Sequence, residues 1–182
     1  MRSTLCDQEM IRTIPMKAQY SNLSILQGIS PEDQELLLSM AQEVRFQAGD
    51  LILRDSEVAS DFYVLVQGWV SIEMEVSTLD LAQLTEDPGV IVSLPILAPG
   101  QKVEATVLRS GEPFGEMGFL EKMRRSADVR AITNVVALQW DGLQLHHLLD
   151  TNHRLGYLFM KNLARLLAQR IRDVNLKWRS KI

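Results

Sequence analysis

The sequence predicts a mainly β domain with flanking helices, an α+β fold. Short apolar runs separated by turn residues recur between residues 44 and 140, a pattern typical of sandwiches and barrels. Before and after this region, apolar residues instead recur at the three- and four-residue spacing of helices. The chain has 182 residues, which is enough for one such domain.

A helix is predicted to begin after Ser30. The Ser30 side chain can accept a hydrogen bond from the first turn, and Pro31 suits the first helical position. Glu32 and Asp33 place negative charge at the positive end of the helix dipole. Apolar residues then follow at helical spacing, namely Leu36, Leu37, Met40 and Ala41.

About eight short strands are predicted in the central region. Residues 69–74 show the clearest alternation of apolar and polar side chains, which is typical of a half-buried strand. Residues 76–88 fit a strand, a helical turn or a loop equally well. The predicted strands are residues 44–46, 51–53, 62–66, 69–74, 90–92, 103–108, 127–132 and 135–140.

Two helices are predicted after the last strand, and Asp141 can cap the first of them. The second covers about residues 151–178 and carries one apolar stripe, which packs on its own domain, on a second copy, or on both. The stripe consists of Leu163, Leu167, Ile171, Val174 and Trp178. No linker divides the chain, so residues 1–21 are predicted to form an N-terminal arm and residues 22–182 a single domain.

Composition and charge exclude several classes of protein. Apolar residues make up 46% of the chain and charged residues 23%, the balance of a globular protein. Cys6 is the single cysteine, and no run reaches the 18 apolar residues of a membrane helix, so we predict a cytoplasmic protein without membrane contact. The net charge of −4 argues against a strongly basic nucleic-acid binder.

The end of the chain departs from this average charge. Residues 161–182 contain seven basic residues and one acidic residue, Asp173. Such a run forms either a solvated helix face or a docking surface for an acidic partner. Both interpretations stay open from the sequence.

Residues 114–131 carry the most informative chemistry. Gly115 permits a tight turn, and residues 117–120 can form one helical turn whose free N–H groups attract a phosphate. Arg125 and Ser126 add donors for phosphate oxygens, and Glu116 can accept hydrogen bonds from a sugar diol. This polarity fits a nucleotide whose phosphate and ribose lie close together. A surface turn with solvated charges is the alternative interpretation.

The same residues resemble the phosphate-binding cassette of the cyclic-nucleotide-binding domain family. That family includes bacterial catabolite activator proteins, regulatory subunits of cyclic-AMP-dependent protein kinase and cyclic-nucleotide-gated channels. The resemblance lies in Phe-Gly-Glu at 114–116, Gly118, Phe-Leu at 119–120, Arg-Ser-Ala at 125–127 and Val-Arg-Ala at 129–131. It extends over about residues 22–178 and implies a double-stranded β-helix jelly roll with an N-terminal helix and a long C-terminal helix. We call residues 114–131 the cassette below.

The resemblance also implies roles for individual residues. Glu116 would accept a hydrogen bond from the ribose 2′-hydroxyl, and Arg125 would pair with the cyclic phosphate. Arg170 falls near the position on the last helix that caps the base, although a solvated arginine is the alternative. The implied ligand-binding residues are Phe114, Gly115, Glu116, Met117, Arg125, Ser126, Ala127 and Arg170.

Three departures from the family pattern have consequences. Ser56 stands in a turn where the family usually has glycine, and residues 76–102 exceed the usual hairpin, which predicts an insertion. The chain ends at Ile182, soon after the long helix, so the winged helix-turn-helix of the transcription factors and direct DNA binding are not expected.

The predicted function is a non-enzymatic sensor for a cyclic nucleotide. The resemblance implies cyclic AMP as the ligand, because serine at the position of Ser126 occurs with cyclic AMP in the family, and cyclic GMP is the alternative. The signal would pass through movement of the C-terminal helix to a protein partner or a homodimer. The alternatives are an interaction module of the same fold with a degenerate pocket, and a truncated or split Crp/Fnr-type transcriptional regulator.

An enzyme, a cofactor and a metal centre are not predicted. The sequence shows no P-loop, dinucleotide fingerprint or nucleophile elbow. The histidines lie on predicted helices rather than on neighbouring strands, where a β-barrel metal site would need them. They are His146, His147 and His153.

Overall fold

The structure is a computed structural model, and it describes residues 20–75, 102–122 and 124–179. The helical elements are a 3-10 turn at Ser24–Leu26 and four α-helices, α1 (Pro31–Met40), α2 (Glu116–Glu121), α3 (Gly142–Thr151) and α4 (His153–Arg179). The strands are β1 (Gln42–Phe46), β2 (Leu51–Leu53), β3 (Phe62–Gln67), β4 (Val70–Glu75), β5 (Lys102–Leu108), β6 (Pro113–Phe114), β7 (Asp128–Ala131) and β8 (Val135–Trp140).

The strands form two four-stranded sheets with the orders β1-β8-β3-β6 and β2-β7-β4-β5. Every pairing is antiparallel. The predicted jelly-roll architecture with flanking helices is thereby confirmed. Strand β6 was not predicted, because two residues that include a proline show no alternation; it forms by pairing with Tyr63 and Val64 of β3. The predicted strand at residues 90–92, and most of the predicted insertion, lie outside the described residues.

Strand β3 separates two apolar cores, which explains its uninterrupted apolar run. Phe62 and Val64 belong to the core under the helices, together with Trp140. Tyr63 and Leu65 belong to the core between the two sheets. A strand buried on both faces has no polar face, so period-two alternation disappears from its sequence.

Helices α1 and α3 each begin with a side-chain cap, as the sequence predicts. The Ser30 hydroxyl accepts a hydrogen bond from the backbone N–H of Asp33 at 3.2 Å, and the Asp141 carboxylate accepts one from Gln144 at 2.8 Å. Asn152 separates α3 from α4, because its side chain bonds both to Asp33 at 3.0 Å and to the N–H of Leu155 at 3.1 Å.

The first half of α4 is anchored to the start of the domain. Asn162 is buried and donates to the carbonyl oxygens of Ile25 at 2.9 Å and Gln27 at 2.8 Å. Leu163, the first residue of the predicted apolar stripe, is 1% exposed and packs in the helix-side core, so the stripe begins by packing on its own domain. Tyr20 is also buried there, and its hydroxyl donates to Glu43, so Tyr20 packs with the domain rather than with an arm.

Two further expectations concern membranes and metals. Among the described residues, no helix combines the length and the hydropathy needed to cross a bilayer. In the same part of the chain, no three histidine, cysteine, aspartate or glutamate side chains converge as metal ligands would. His146 and His147 lie on α3 and His153 begins α4, whereas Cys6 lies outside the described residues.

Candidate ligand site

The cassette begins with a turn that only glycine adopts without strain. Gly115 has φ +74° and forms the N-terminal boundary of α2. The preceding Phe114 is buried and stacks on Tyr63, with ring centroids 4.9 Å apart and planes 9° apart. Phe114 therefore holds the start of the turn against the inter-sheet core rather than facing solvent.

The guanidinium of Arg125 lies beneath this turn. Arg125 is 4% exposed, and its Nη1 donates to the Gly115 carbonyl at 2.9 Å. Its Nη2 donates to the Asp61 carbonyl at 3.0 Å. The side chain thus links the cassette to the chain just before β3.

Two glycines make room for this guanidinium. A Cβ on Gly115 would lie 2.8 Å from Nη1 of Arg125, and a Cβ on Gly118 would lie 3.0 Å from the same atom. Both distances are shorter than van der Waals contact, so a side chain at either position would displace the guanidinium or the backbone. The spacing Gly-x-x-Gly therefore follows from the packing of Arg125.

The charge of Arg125 is buried without a matching anion. Within the described residues Arg125 forms no salt bridge, and its Nε has no hydrogen-bond partner. Burial lowers the pKa of Arg125, against the opposing influence of Tyr63 and Asp61. Burial likewise raises the pKa of Tyr63 to about 12, so the phenol beside the guanidinium is neutral. A buried cation whose hydrogen bonds go to carbonyl oxygens rather than to a carboxylate favours an anion in its vicinity.

The loop before Val58 fixes the backbone of Arg125. Ser56 N–H donates to the Arg125 carbonyl at 2.9 Å, and Arg125 N–H donates to the Glu57 carbonyl at 2.9 Å. Ser56 has φ +63°, so it adopts the left-handed conformation that a glycine would take here. The serine thus retains the turn geometry.

Asp128 holds the other end of this loop. Its carboxylate accepts a hydrogen bond from the N–H of Asp55 at 2.7 Å and forms an ion pair with Lys102. Burial raises the pKa of Asp128, but the hydrogen bond from Asp55 and the Lys102 ammonium outweigh burial and leave the pKa below its ordinary value. Asp128 therefore remains charged at neutral pH and supports the position of Arg125 indirectly.

Glu116 is also buried, and its partner comes from the C-terminal helix. Arg170 of α4 donates from Nη1 to Oε1 of Glu116 at 2.9 Å and from Nη2 to the carbonyl of Pro113. Nε of Arg170 lies 3.9 Å from Oε1 of Glu112. The structure therefore brings Gly115, Glu116, Arg125 and Arg170 into one polar cluster, although the sequence separates Arg170 from the others.

The remaining predicted residues lie at the edge of this cluster. Ser126 is exposed and its hydroxyl donates to Sδ of Met117 at 3.2 Å, while Ala127 is half-buried. Met117 is 47% exposed. The carbonyls of Asp61 and Pro113 were not predicted as contacts, and no side-chain signal predicts them, because backbone acceptors do not depend on residue type.

The far end of α2 is fixed by α3. The ring of His146 stacks on Phe119 with centroids 4.2 Å apart, and its Nε2 lies 2.7 Å from the Phe119 carbonyl oxygen. The short helix is therefore held at both ends, by Arg125 under its start and by His146 at its last turn. Displacement of either support would move α2.

Comparison with known proteins shows similarity to the family that the cassette resembles. Residues 89–152 match the family model described as the cyclic nucleotide-binding domain. This part of the chain is similar to a cyclic nucleotide-binding domain. The cyclic AMP receptor protein of Thermus thermophilus is 28% identical over 156 residues, which cover 84% of this chain and 59% of that relative.

Solved structures support the same assignment. The catabolite activator protein of Thermus thermophilus has a TM-score of 0.60 and 26% identity, and the match covers 85% of this chain and 61% of that protein. A cyclic nucleotide-binding domain from Methylobacillus flagellatus has a TM-score of 0.69 at 19% identity, with 90% and 84% covered, and shows the shared fold. The chain thus spans about three fifths of the length of its Thermus relatives.

The range matched by the family model includes only part of the candidate site. The whole cassette lies inside the matched range, residues 89–152. Arg170 lies outside it, on α4. The contact between Glu116 and Arg170 therefore joins the matched domain to the C-terminal helix.

Proposed function

We propose that this chain is a non-enzymatic regulatory domain that binds a cyclic nucleotide, with cyclic AMP preferred over cyclic GMP. The observation that carries the proposal is the buried guanidinium of Arg125, which has no salt bridge within the described residues and lies next to the buried carboxylate of Glu116. Together they offer a positive pole for a phosphate and a negative pole for a ribose.

In the structure, Arg125 donates to the carbonyls of Gly115 and Asp61. In the proposed complex, Arg125 instead donates hydrogen bonds to the cyclic phosphate. A charged acceptor forms a stronger hydrogen bond with a guanidinium than a carbonyl does, so the exchange favours the ligand. The Ser126 hydroxyl and the Ala127 amide complete the phosphate site, with Met117 beside it. Glu116 accepts a hydrogen bond from the ribose 2′-hydroxyl.

The choice of base rests on Ser126 and on the relative named as a cyclic AMP receptor. Other proteins of this fold are described with other ligands. A regulator from Xanthomonas campestris is called c-di-GMP responsive, and the regulatory subunit of a cAMP-independent protein kinase A from Trypanosoma cruzi is described as bound to guanosine. Both are only 19% identical to this chain, so the similarity shows a shared fold and not a shared ligand. Their ligands therefore belong in the binding test.

The proposed output runs through α4 in a cytoplasmic protein. Exposed apolar residues on this helix follow alternating steps of three and four, as in a two-helix coiled coil. They are Tyr157, Met160, Ala164 and Ile171, with the half-buried Leu167 between them. We propose that a homodimer, or a partner protein, packs on this face.

A thermal-shift experiment tests the binding proposal, with cyclic AMP, cyclic GMP, cyclic di-GMP, guanosine and 5′-AMP as separate arms. At 100 times its dissociation constant a ligand adds about 2.7 kcal/mol to the free energy of unfolding. For a domain of this size, the melting temperature should rise by roughly 5–10 °C. We expect cyclic AMP to give the largest rise.

Two variants and one control locate the site. Arg125→Ala and Glu116→Ala should remove the rise, while Arg124→Ala should keep it, because Arg124 carries the same charge but is exposed and bonds to the Ser56 carbonyl. Glu116→Ala covers the case in which loss of Arg125 unfolds the domain. No rise with any nucleotide would contradict the proposal and favour an interaction module with a degenerate pocket.

A further inference from the structure

Met117 places an accessible thioether inside the cassette, in contact with a hydroxyl donor. It is the second residue of α2 and is 47% exposed. The hydroxyl of Ser126 donates a hydrogen bond to its Sδ at 3.2 Å. Ser126 is also exposed, so small solutes can reach both groups. The thioether is therefore open to chemistry at a point where its change is felt by the cassette.

The contact uses the single hydrogen that Ser126 can donate. A serine hydroxyl has one O–H, and in the structure it is donated to Met117. In the proposed complex the same hydroxyl donates to an oxygen of the cyclic phosphate, which only accepts. Met117 and the phosphate therefore compete for one hydrogen. A thioether is a weak acceptor and an anion is a strong one, so the phosphate wins in the unmodified protein.

Oxidation of the thioether reverses this balance. With hydrogen peroxide, a lone pair of Sδ attacks one peroxide oxygen; the S–O bond forms as the O–O bond breaks, and the other oxygen leaves as water after a proton transfer. Sulfur loses two electrons and peroxide gains them. The product is methionine sulfoxide, a polar side chain. Its oxygen carries partial negative charge, so it accepts the serine hydrogen more strongly than sulfur does and repels a neighbouring anion.

We propose that Met117 is an oxidation site, and that its sulfoxide retains the Ser126 hydroxyl and lowers the affinity for the nucleotide. This inference rests on the proposed function. Sulfoxide reductases reverse the change with thiols as the reductant: two thiols become a disulfide and the sulfoxide oxygen leaves as water. Two neighbouring side chains thus make nucleotide binding dependent on peroxide.

The test is titration calorimetry with cyclic AMP before and after exposure of the full chain to hydrogen peroxide, which is removed before the titration. Peptide mass measurement shows which methionines gained one oxygen. We expect oxidation at Met117 and a dissociation constant about tenfold higher, as for the loss of one hydrogen bond to a charged group. A chain that carries the sulfoxide at Met117 and binds as tightly as before overturns the proposal, as does a Met117 that stays unoxidised while Met74 is converted.

Two methionine variants assign the effect to one sulfur, each compared with itself before and after peroxide. Met117→Leu should show a change of less than about twofold, because leucine has no sulfur to oxidise. Met74→Leu is the matched control, since Met74 is also 47% exposed but lies on β4. It should keep the tenfold change. Retention of the change by Met117→Leu overturns the proposal.

Ser126→Ala separates capture of the hydroxyl from simple damage to the cassette. This variant should bind more weakly than the original chain before treatment, and peroxide should then have little further effect, because no hydroxyl remains to be captured. A full tenfold loss in Ser126→Ala means that the sulfoxide acts by distortion and overturns the proposal.

The outcome for the untreated original chain tells the two proposals apart. Absence of binding before peroxide treatment overturns the proposed function and this inference with it. Binding before treatment that peroxide leaves unchanged overturns this inference alone.

Discussion

The guanidinium of Arg125 packs against Gly115 so closely that the glycine has no room for a side chain. Nη1 of Arg125 donates to the Gly115 carbonyl at 2.9 Å, and a Cβ on Gly115 would lie 2.8 Å from the same nitrogen. The carbonyl of Asp61 would lie 2.9 Å from that Cβ on another side. The bend of the cassette and the position of its arginine therefore depend on each other.

Gly115→Ala should destabilise the domain far more than Gly28→Ala. The two glycines have nearly equal φ, +74° and +75°, but a Cβ on Gly28 would meet no atom within 4 Å. Gly28→Ala should therefore lower the free energy of unfolding by roughly 1 kcal/mol, from backbone strain alone. Gly115→Ala should lower it by about 3 kcal/mol or more, because the guanidinium or the backbone must also move. Urea unfolding measures both; equal losses would contradict the packing argument.

Asn162→Leu should loosen the anchor of α4. The substitution removes two hydrogen bonds and leaves the carbonyl of buried Ile25 without its donor. We expect a loss of about 2 kcal/mol or more, which lowers the melting temperature by several degrees. Asn175→Leu, an exposed position on the same helix, should have a small effect. Similar losses in the two variants would show that the contact with the first turn is not an anchor.

The ion pair of Asp128 should appear in the acid unfolding of the domain. Its folded-state pKa lies below the ordinary value near 3.9, so its stabilisation is fully present above about pH 4 and is lost as the pH falls through the folded-state pKa. The stability deficit of Asp128→Asn should therefore be large at pH 7 and shrink below pH 4. Melting curves between pH 3 and pH 7 measure this difference.

Asp150→Asn is the control for the acid experiment, because Asp150 is an exposed carboxylate on α3. Its difference from the original chain should stay small across the same range. A deficit for Asp128→Asn that does not change with pH would mean that its contribution is not electrostatic.

Ile171→Glu should dissociate the proposed dimer. Ile171 is 61% exposed and continues the apolar steps of α4 from Tyr157 and Met160. A carboxylate in the core of a two-helix interface is costly, because it loses water without gaining a partner. Analytical ultracentrifugation should show a dimer for the original chain and a monomer for Ile171→Glu. Gln169→Glu adds the same charge on the opposite side of α4 and should remain dimeric; a monomeric original chain would refute the interface.

Local sequence signals predicted much of the fold because they act over a few residues. The caps at Ser30 and Asp141 and the alternation in β4 depend on neighbours close in the chain, and the structure shows the expected elements there. The same signals failed for β6, which exists only because Tyr63 and Val64 provide a partner strand. Periodicity alone also left open whether the stripe that begins at Leu163 packs on its own domain or on a second copy, and the structure buries Leu163 in its own domain.

The sequence by itself determined the chemistry of this protein: a glycine turn, a carboxylate and a guanidinium at fixed spacing, within a mainly β domain. Tertiary structure decided how those groups are used, since it buries Arg125 against two backbone carbonyls and brings Arg170 from 54 residues away onto Glu116. The physical reason is that spacing fixes contacts only within a turn or a strand pair. Contacts between distant segments follow from how α4 packs on the sheets.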